Sequence, residues 1–194
     1  MGDPGEVTAI AVQGASVYWT EPAIGVIATA PVDGGEAIAL VSDPSFYPWA
    51  IALDSGNLYW SDQKANGVFQ LPLTGGKATR IATAPGGAGP IALNATGIYF
   101  MTGGPDCAVI RAALDGSGQQ TLASGVACNS FAIAIDSASV YFGSRDSGEI
   151  DKVAIDGGSL TRLATGQQPI GLAVDAVSVY WTDVIAGAVL KAPK

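Results

Sequence analysis

Ile51-Ala52-Leu53-Asp54-Ser55-Gly56-Asn57-Leu58-Tyr59-Trp60-Ser61-Asp62 is the stretch that decides the fold. The apolar run from Trp49 to Leu53 has the length of a strand, and it stops at Asp54. Ser55-Gly56-Asn57 reads as a turn, and Leu58 to Ser61 is rich in strand formers that would pair back as a hairpin. Beyond the polar residues Asp62 to Asn66, Gly67-Val68-Phe69-Gln70-Leu71-Pro72-Leu73 reads as a third strand. Thr74-Gly75-Gly76 matches a primed-type hairpin turn, in which glycines accept positive φ, and Thr79-Arg80-Ile81-Ala82 gives a fourth strand. The whole is a four-stranded antiparallel meander.

The same frame recurs along the chain. Aromatic pairs stand at Tyr18-Trp19, Tyr59-Trp60, Tyr99-Phe100, Tyr141-Phe142 and Tyr180-Trp181, and turns at Asp33-Gly34-Gly35, Asp115-Gly116-Ser117 and Asp156-Gly157-Gly158. A period of about 40 residues marks an array of supersecondary units that cannot bury their apolar faces alone. Repeated four-stranded meanders of this length are the blades of a β-propeller. No repeat holds a convincing amphipathic helix, which removes the helical solenoids and weighs against leucine-rich repeats. The first strand of each repeat carries alanine at its centre, at Ala11, Ala52, Ala92, Ala134 and Ala173, between larger apolar residues. Alanine there suits an innermost strand where neighbouring blades crowd together, with the aromatic pair one strand further out where the gap is wider.

At the aromatic pairs the chain resembles a known family. Tyr59-Trp60-Ser61-Asp62 and Tyr180-Trp181-Thr182-Asp183 look like the YWTD repeat of low-density-lipoprotein-receptor-type propellers, and Tyr18-Trp19-Thr20-Glu21 is a near match. The third and fourth repeats depart, reading Tyr99-Phe100-Met101-Thr102 and Tyr141-Phe142-Gly143-Ser144. The resemblance implies an all-β propeller fold, and receptor members of the family bind protein ligands. Related bacterial propellers, often secreted or surface-attached, have no assigned role.

The expected architecture is one propeller domain over residues 1–194, with repeats near 7–48, 49–88, 89–130, 131–169 and 170–194. The last repeat offers three strands, and the segment before Val7 is too short and too rich in Gly and Pro to supply another. Three readings stand: a five-bladed ring whose last blade lacks its fourth strand, a piece of a longer propeller, or a chain completed by a partner's strand in a homo-oligomer. Lys191, Pro193 and Lys194 resemble the charges and prolines that protect an edge strand, which favours the first.

Composition narrows the function classes. Charged residues make up only 13% and hydrophobic ones 48%, so the chain can build a core. The net charge is −8 and basic residues are scattered singly, which disfavours nucleic acid and anionic membranes as partners. No apolar run approaches the roughly 20 residues of a membrane span. Met1-Gly2-Asp3-Pro4-Gly5-Glu6 does not read as a signal peptide and looks like the start of an excised domain. Histidine is absent, which removes the commonest general base, the commonest zinc ligand and every Ser-His or Cys-His pair.

Cys107 falls in the loop between the second and third strands of its repeat, and Cys128 in the connection leaving it, at the same end of the sheet. A disulfide between them is expected and would place the protein in an oxidising compartment: secreted, periplasmic or at the cell surface. The alternative is two free thiols in a cytosolic protein. One acid per repeat lies at that end: Glu21, Asp62, Asp106, Asp146 and Asp183. Such a set would suit a cation or a basic peptide, while the plainer reading has Glu21, Asp62 and Asp183 capping strand ends by accepting loop amides. At the opposite end Gln13, Asp54, Asn94, Asp136 and Asp175 lead straight into turns and read as Asx-type turn formers. Asn94-Ala95-Thr96 matches a glycosylation sequon, although a turn role for Asn94 suffices.

The connection into the second repeat, Pro44-Ser45-Phe46-Tyr47-Pro48-Trp49, stands apart. Phe46, Tyr47 and Trp49 would offer a stacking platform to a sugar or peptide, or fill a seam between blades. The expected function is a non-catalytic extracellular binding or scaffolding module for a protein or glycan, acting without a cofactor. One rival is a calcium-dependent propeller hydrolase or lactonase, for which the Ile, Ala, Leu and Val of the innermost strands offer few ligands. The other is a structural fragment of a larger surface protein.

Overall fold

The computed structural model describes residues 6–194; the expectation for the opening residues Met1 to Gly5 lies outside them. The chain groups into two compact units, one ending at Gly89 and the other running from Pro90 to Lys194. The first holds two antiparallel sheets: β1 (Ala9–Gln13), β2 (Ser16–Glu21), β3 (Val26–Pro31) and β4 (Ile38–Ser42), then β5 (Pro48–Leu53), β6 (Asn57–Asp62), β7 (Gly67–Pro72) and β8 (Thr79–Thr83). Pro22–Ile24 forms a single 3₁₀ turn between β2 and β3.

The second unit holds three sheets, apart from the first two residues of β9. They are β9 (Ala88–Asn94) to β12 (Gln120–Ser124) through β10 (Gly97–Thr102) and β11 (Ala108–Ala112); β13 (Ser130–Ile135), β14 (Ser139–Ser144), β15 (Glu149–Ala154) and β16 (Thr161–Ala164); and β17 (Pro169–Val174), β18 (Ser178–Asp183) and β19 (Ala188–Pro193). Neighbours in each sheet are neighbours in sequence, so every sheet is the expected meander and the last has three strands.

The aromatic pair works because consecutive residues of a strand point to opposite faces. Tyr18 of the first sheet shares a core with Leu58, Trp60 and Phe69 of the second. In the second unit Tyr99 and Met101 of β10 meet Val140 and Phe142 of β14, and Tyr141 meets Val179 and Trp181 of β18. Each of these gaps therefore receives the tyrosine of one sheet and the Trp or Phe of the next. The first-strand alanines have a direct reason as well. Ala11, Ala52, Ala134 and Ala173 pair across the strands with Tyr18, Tyr59, Tyr141 and Tyr180, so the large ring lies beside a small neighbour.

The Asp-Gly turns differ from the expected primed type. In the second sheet the Gly75 amide donates to the Pro72 carbonyl, which centres the turn on Leu73 and Thr74. Neither has positive φ; Gly75 and Gly76, at φ 90° and 138°, follow the turn and carry the chain back into β8. Gly34, Gly116 and Gly157 donate in the same way to Pro31, Ala113 and Ala154. Glycine at this last turn position is the ordinary-turn preference rather than the hairpin one.

Lys194 also differs from its expected role as an edge charge. Its ammonium donates to Asp136 of the neighbouring sheet at 2.6 Å and sits over the Tyr141 ring. Gly143 explains one departure from the repeat: a Cβ there would lie 2.6 Å from Pro169 Cγ and 3.1 Å from Ile150 Cδ1. Gly143→Ala should therefore cost about 1–3 kcal/mol by overpacking. Thermal unfolding should fall by roughly 2 to 4 °C per kcal/mol; an unchanged midpoint would mean that Pro169 yields without cost.

Candidate functional site

Two ends of the strands carry polar side chains, and they do different work. At the β1–β2-type turns, Asp54 accepts the amides of Gly56 and Asn57 on Oδ1 and the Tyr59 hydroxyl on Oδ2, the last at 2.7 Å. Asp136 accepts from Ala138, Ser139 and Tyr141, and Asp175 from Val177, Ser178 and Tyr180, with hydroxyl distances of 3.0 and 2.8 Å. The expected turn-forming role is seen at these three aspartates, each of which adds a bond to the tyrosine five residues on, but not at Gln13, whose side chain makes no hydrogen bond among the described residues. Burial, then the bond to Asp54, push the Tyr59 hydroxyl up to about 12. Burial pushes the Asp136 carboxyl up, but the Lys194 ammonium, the two amides and the Tyr141 hydroxyl outweigh it and hold the group at about 2.

The third sheet departs from this frame. Asn94 Oδ1 accepts from the Thr96 amide and hydroxyl and from the Gly97 amide. The Tyr99 hydroxyl is buried without a hydrogen-bond partner among the described residues. A cavity of about 540 Å³ opens there, lined among others by Leu93, Asn94, Tyr99, Arg111, Ile135 and Ser137.

At the other strand end the acids act mostly as staples. Asp62 is fully buried and accepts from the Tyr47 amide at 2.8 Å and from the Lys64 and Ala65 amides at 3.0 and 2.6 Å. It joins the incoming connection to the β6–β7 loop. Burial holds its carboxyl above the ordinary value despite these amide bonds. Asp183 does the same for Gln168 and Ala186, and the amides of Ala186 and Gln168 hold its carboxyl low. Ser61 and Thr182 each accept an amide of the preceding strand, from Ala50 and Gly171, beside an irregularity in strand pairing. Each letter of the Tyr-Trp-Ser/Thr-Asp motif thus has its own bond or packing contact.

Glu21 differs from the capping expectation, since it accepts the Trp19 indole N–H at 2.8 Å rather than a loop amide. Asp146 accepts the side-chain amide of Asn129, and Asp106 is exposed. Among the described residues no three of His, Cys, Asp and Glu come together as a metal cluster.

The aromatic connection divides. Phe46 packs edge-on against Trp60 and Phe69, with centroids 5.7 and 4.9 Å away, so it belongs to the core rather than to a platform. Tyr47 and Trp49 stack at 6.4 Å and 13°, and Tyr47 is 37% exposed. Sequence reading missed both the buried tyrosine hydroxyl and the cavity beside it. The Asn-for-Asp exchange at Asn94 was the available signal.

Cys107 and Cys128 are joined in a disulfide with Cα atoms 5.5 Å apart. It ties the β10–β11 loop to the connection leaving the third sheet.

No family profile matches the chain, and no curated protein matches it significantly. Solved structures do. A chain of a nidogen/laminin complex superposes with TM-score 0.81 at 17% identity, covering 98% of this chain and 76% of that one. A virginiamycin B lyase from Staphylococcus aureus gives 0.78 at 15%, covering 98% and 70%. A gluconolactonase from Xanthomonas campestris gives 0.70 at 16%, covering 92% and 71%. Identity this low shows the fold alone. The class it defines, with the five meanders, is the β-propeller.

Reduction of the disulfide releases a loop closed over a sequence separation of 21. Unfolding free energy in urea should fall by about 3 kcal/mol under a reductant. Equal stability with and without reductant would show the bridge to be energetically idle.

Proposed function

We propose that this chain is a non-catalytic, extracellular YWTD-type propeller module that binds a protein or carbohydrate ligand through the strand ends carrying Tyr47 and Trp49. The stacked, part-exposed Tyr47–Trp49 pair carries the reading. Aromatic faces of this kind bury large area at low entropic cost and accept sugar rings or peptide side chains. The disulfide fits an oxidising compartment. The solved nidogen/laminin complex lends support, because a propeller-type neighbour there stands in an assembly with another protein.

The calcium-dependent hydrolase or lactonase is the rival that the lyase and gluconolactonase neighbours keep in view. It needs several free carboxylates converging on one ion. Asp62 and Asp183 already commit theirs to loop amides. Among the described residues no helix is long and apolar enough to cross a membrane.

The test screens the chain against immobilised oligosaccharides and purified extracellular proteins. Saturable binding is expected, and Tyr47→Ala should weaken it by about 1–2 kcal/mol, roughly five- to thirtyfold. Binding indifferent to Tyr47→Ala, or calcium-dependent hydrolysis of a sugar lactone, would overturn the reading.

A further inference from the structure

The cavity in the third and fourth sheets sits where the repeat loses a carboxylate. In three sheets the tyrosine of the aromatic pair has an aspartate on its hydroxyl: Asp54 on Tyr59, Asp136 on Tyr141 and Asp175 on Tyr180. The residue across the next strand from that tyrosine is cationic in three sheets: Arg111 opposite Tyr99, Lys152 opposite Tyr141 and Lys191 opposite Tyr180. In the fourth and fifth sheets the tyrosine therefore has both an acid on its hydroxyl and a cation across the strand. The third has the cation and the tyrosine but holds Asn94 in place of the acid.

Three observations accompany that exchange, although Lys152 and Lys191, opposite tyrosines that keep their aspartate, make no ion pair among the described residues either. The Tyr99 hydroxyl, on a side chain with no exposed surface, has no partner among the described residues. Arg111 lies over the Tyr99 ring, its Cζ 6.0 Å from the centroid, and makes no ion pair among the described residues. The cavity opens at the same place, with Arg111, Asn94 and Ser137 as polar lining and Leu93, Ile135 and Ile155 as apolar lining. Asp136 also lines it, but its oxygens are occupied by two amides, the Tyr141 hydroxyl and the Lys194 ammonium. An orphaned hydroxyl costs about 1–3 kcal/mol, and an unpaired guanidinium suits the planar, two-oxygen geometry of a carboxylate.

We propose that this cavity binds a small organic monocarboxylate with an apolar body, whose carboxylate pairs with the guanidinium of Arg111. The Tyr99 hydroxyl lies beneath the cavity floor and takes no part. Leu93, Ile135 and Ile155 cover the hydrocarbon. A volume of about 540 Å³ falls within the range of small-molecule sites. The net charge of −8 opposes the approach of an anion, so contacts with Arg111 rather than the long-range field supply the affinity. The site shares no residue with the Tyr47–Trp49 platform and does not rest on it.

The test is a titration of the chain with phenylacetate, followed by two-dimensional amide NMR, with phenylacetamide and phenethylamine as neutral and cationic controls. Phenylacetate should shift the amides of Thr96, Gly97 and Ser137 saturably, and the two controls should bind at least roughly tenfold more weakly. Arg111→Gln should lower phenylacetate affinity by a similar factor. Asn94→Asp, which adds a negative charge to the lining beside Arg111, should weaken phenylacetate binding at least roughly tenfold in a chain that remains folded. Equal binding of phenylacetamide, undiminished binding in either variant, or no shift of those amides at saturating phenylacetate would overturn the proposal.

Discussion

Everything in these sheets depends on the alternation of side chains along the second strand. Because Tyr and Trp are adjacent, they leave the strand on opposite faces, and one residue pair serves two gaps. Within each unit the gap between consecutive sheets is closed by the tyrosine from one side and the Trp or Phe from the other. Large rings bury on the order of 150–250 Å² each. At about 25 cal/mol per Å², that is several kcal/mol per ring. A sheet with one apolar face would have needed only one partner; two apolar faces make each meander incomplete without its neighbours.

Burying tyrosine rather than phenylalanine brings a hydroxyl into the gap, and the repeat answers with an aspartate that is already fixed by its turn. The same carboxylate accepts two turn amides and the phenol, so the turn and the sheet-to-sheet packing are joined at one residue. Asp62 and Asp183 join the opposite loops in a comparable way. The motif residues are thus consumed by structure. Regularity in this chain marks stability, and recognition has to be sought where the pattern breaks.

Much of the fold was legible because period and alternation are local properties of sequence. The nineteen strands of the described residues, the short last sheet, the Asx turns at Asp54, Asn94, Asp136 and Asp175, and the Cys107–Cys128 pair all follow from spacing and order along the chain. What stayed hidden depended on side-chain reach. Phe46 looks like part of a platform in sequence, yet the connection folds it inward against Trp60 and Phe69. Lys194 looks like an edge charge, yet its four-carbon stem reaches Asp136. Thr74-Gly75-Gly76 marks a turn in sequence but does not reveal whether glycine is central to it or follows it. The cavity was invisible because its signal is a missing carboxylate, and a single Asp-to-Asn exchange looks conservative until the tyrosine five residues on is considered.

The most direct measurement is the unfolding free energy of a Tyr→Phe series compared across sheets. Tyr59→Phe and Tyr141→Phe each remove a donor from a part-buried aspartate and should cost about 1–2 kcal/mol. Tyr99→Phe removes an orphaned hydroxyl and should be neutral or stabilising. A cost for Tyr99→Phe equal to that of the other two, or no cost at Tyr59 and Tyr141, would contradict the account.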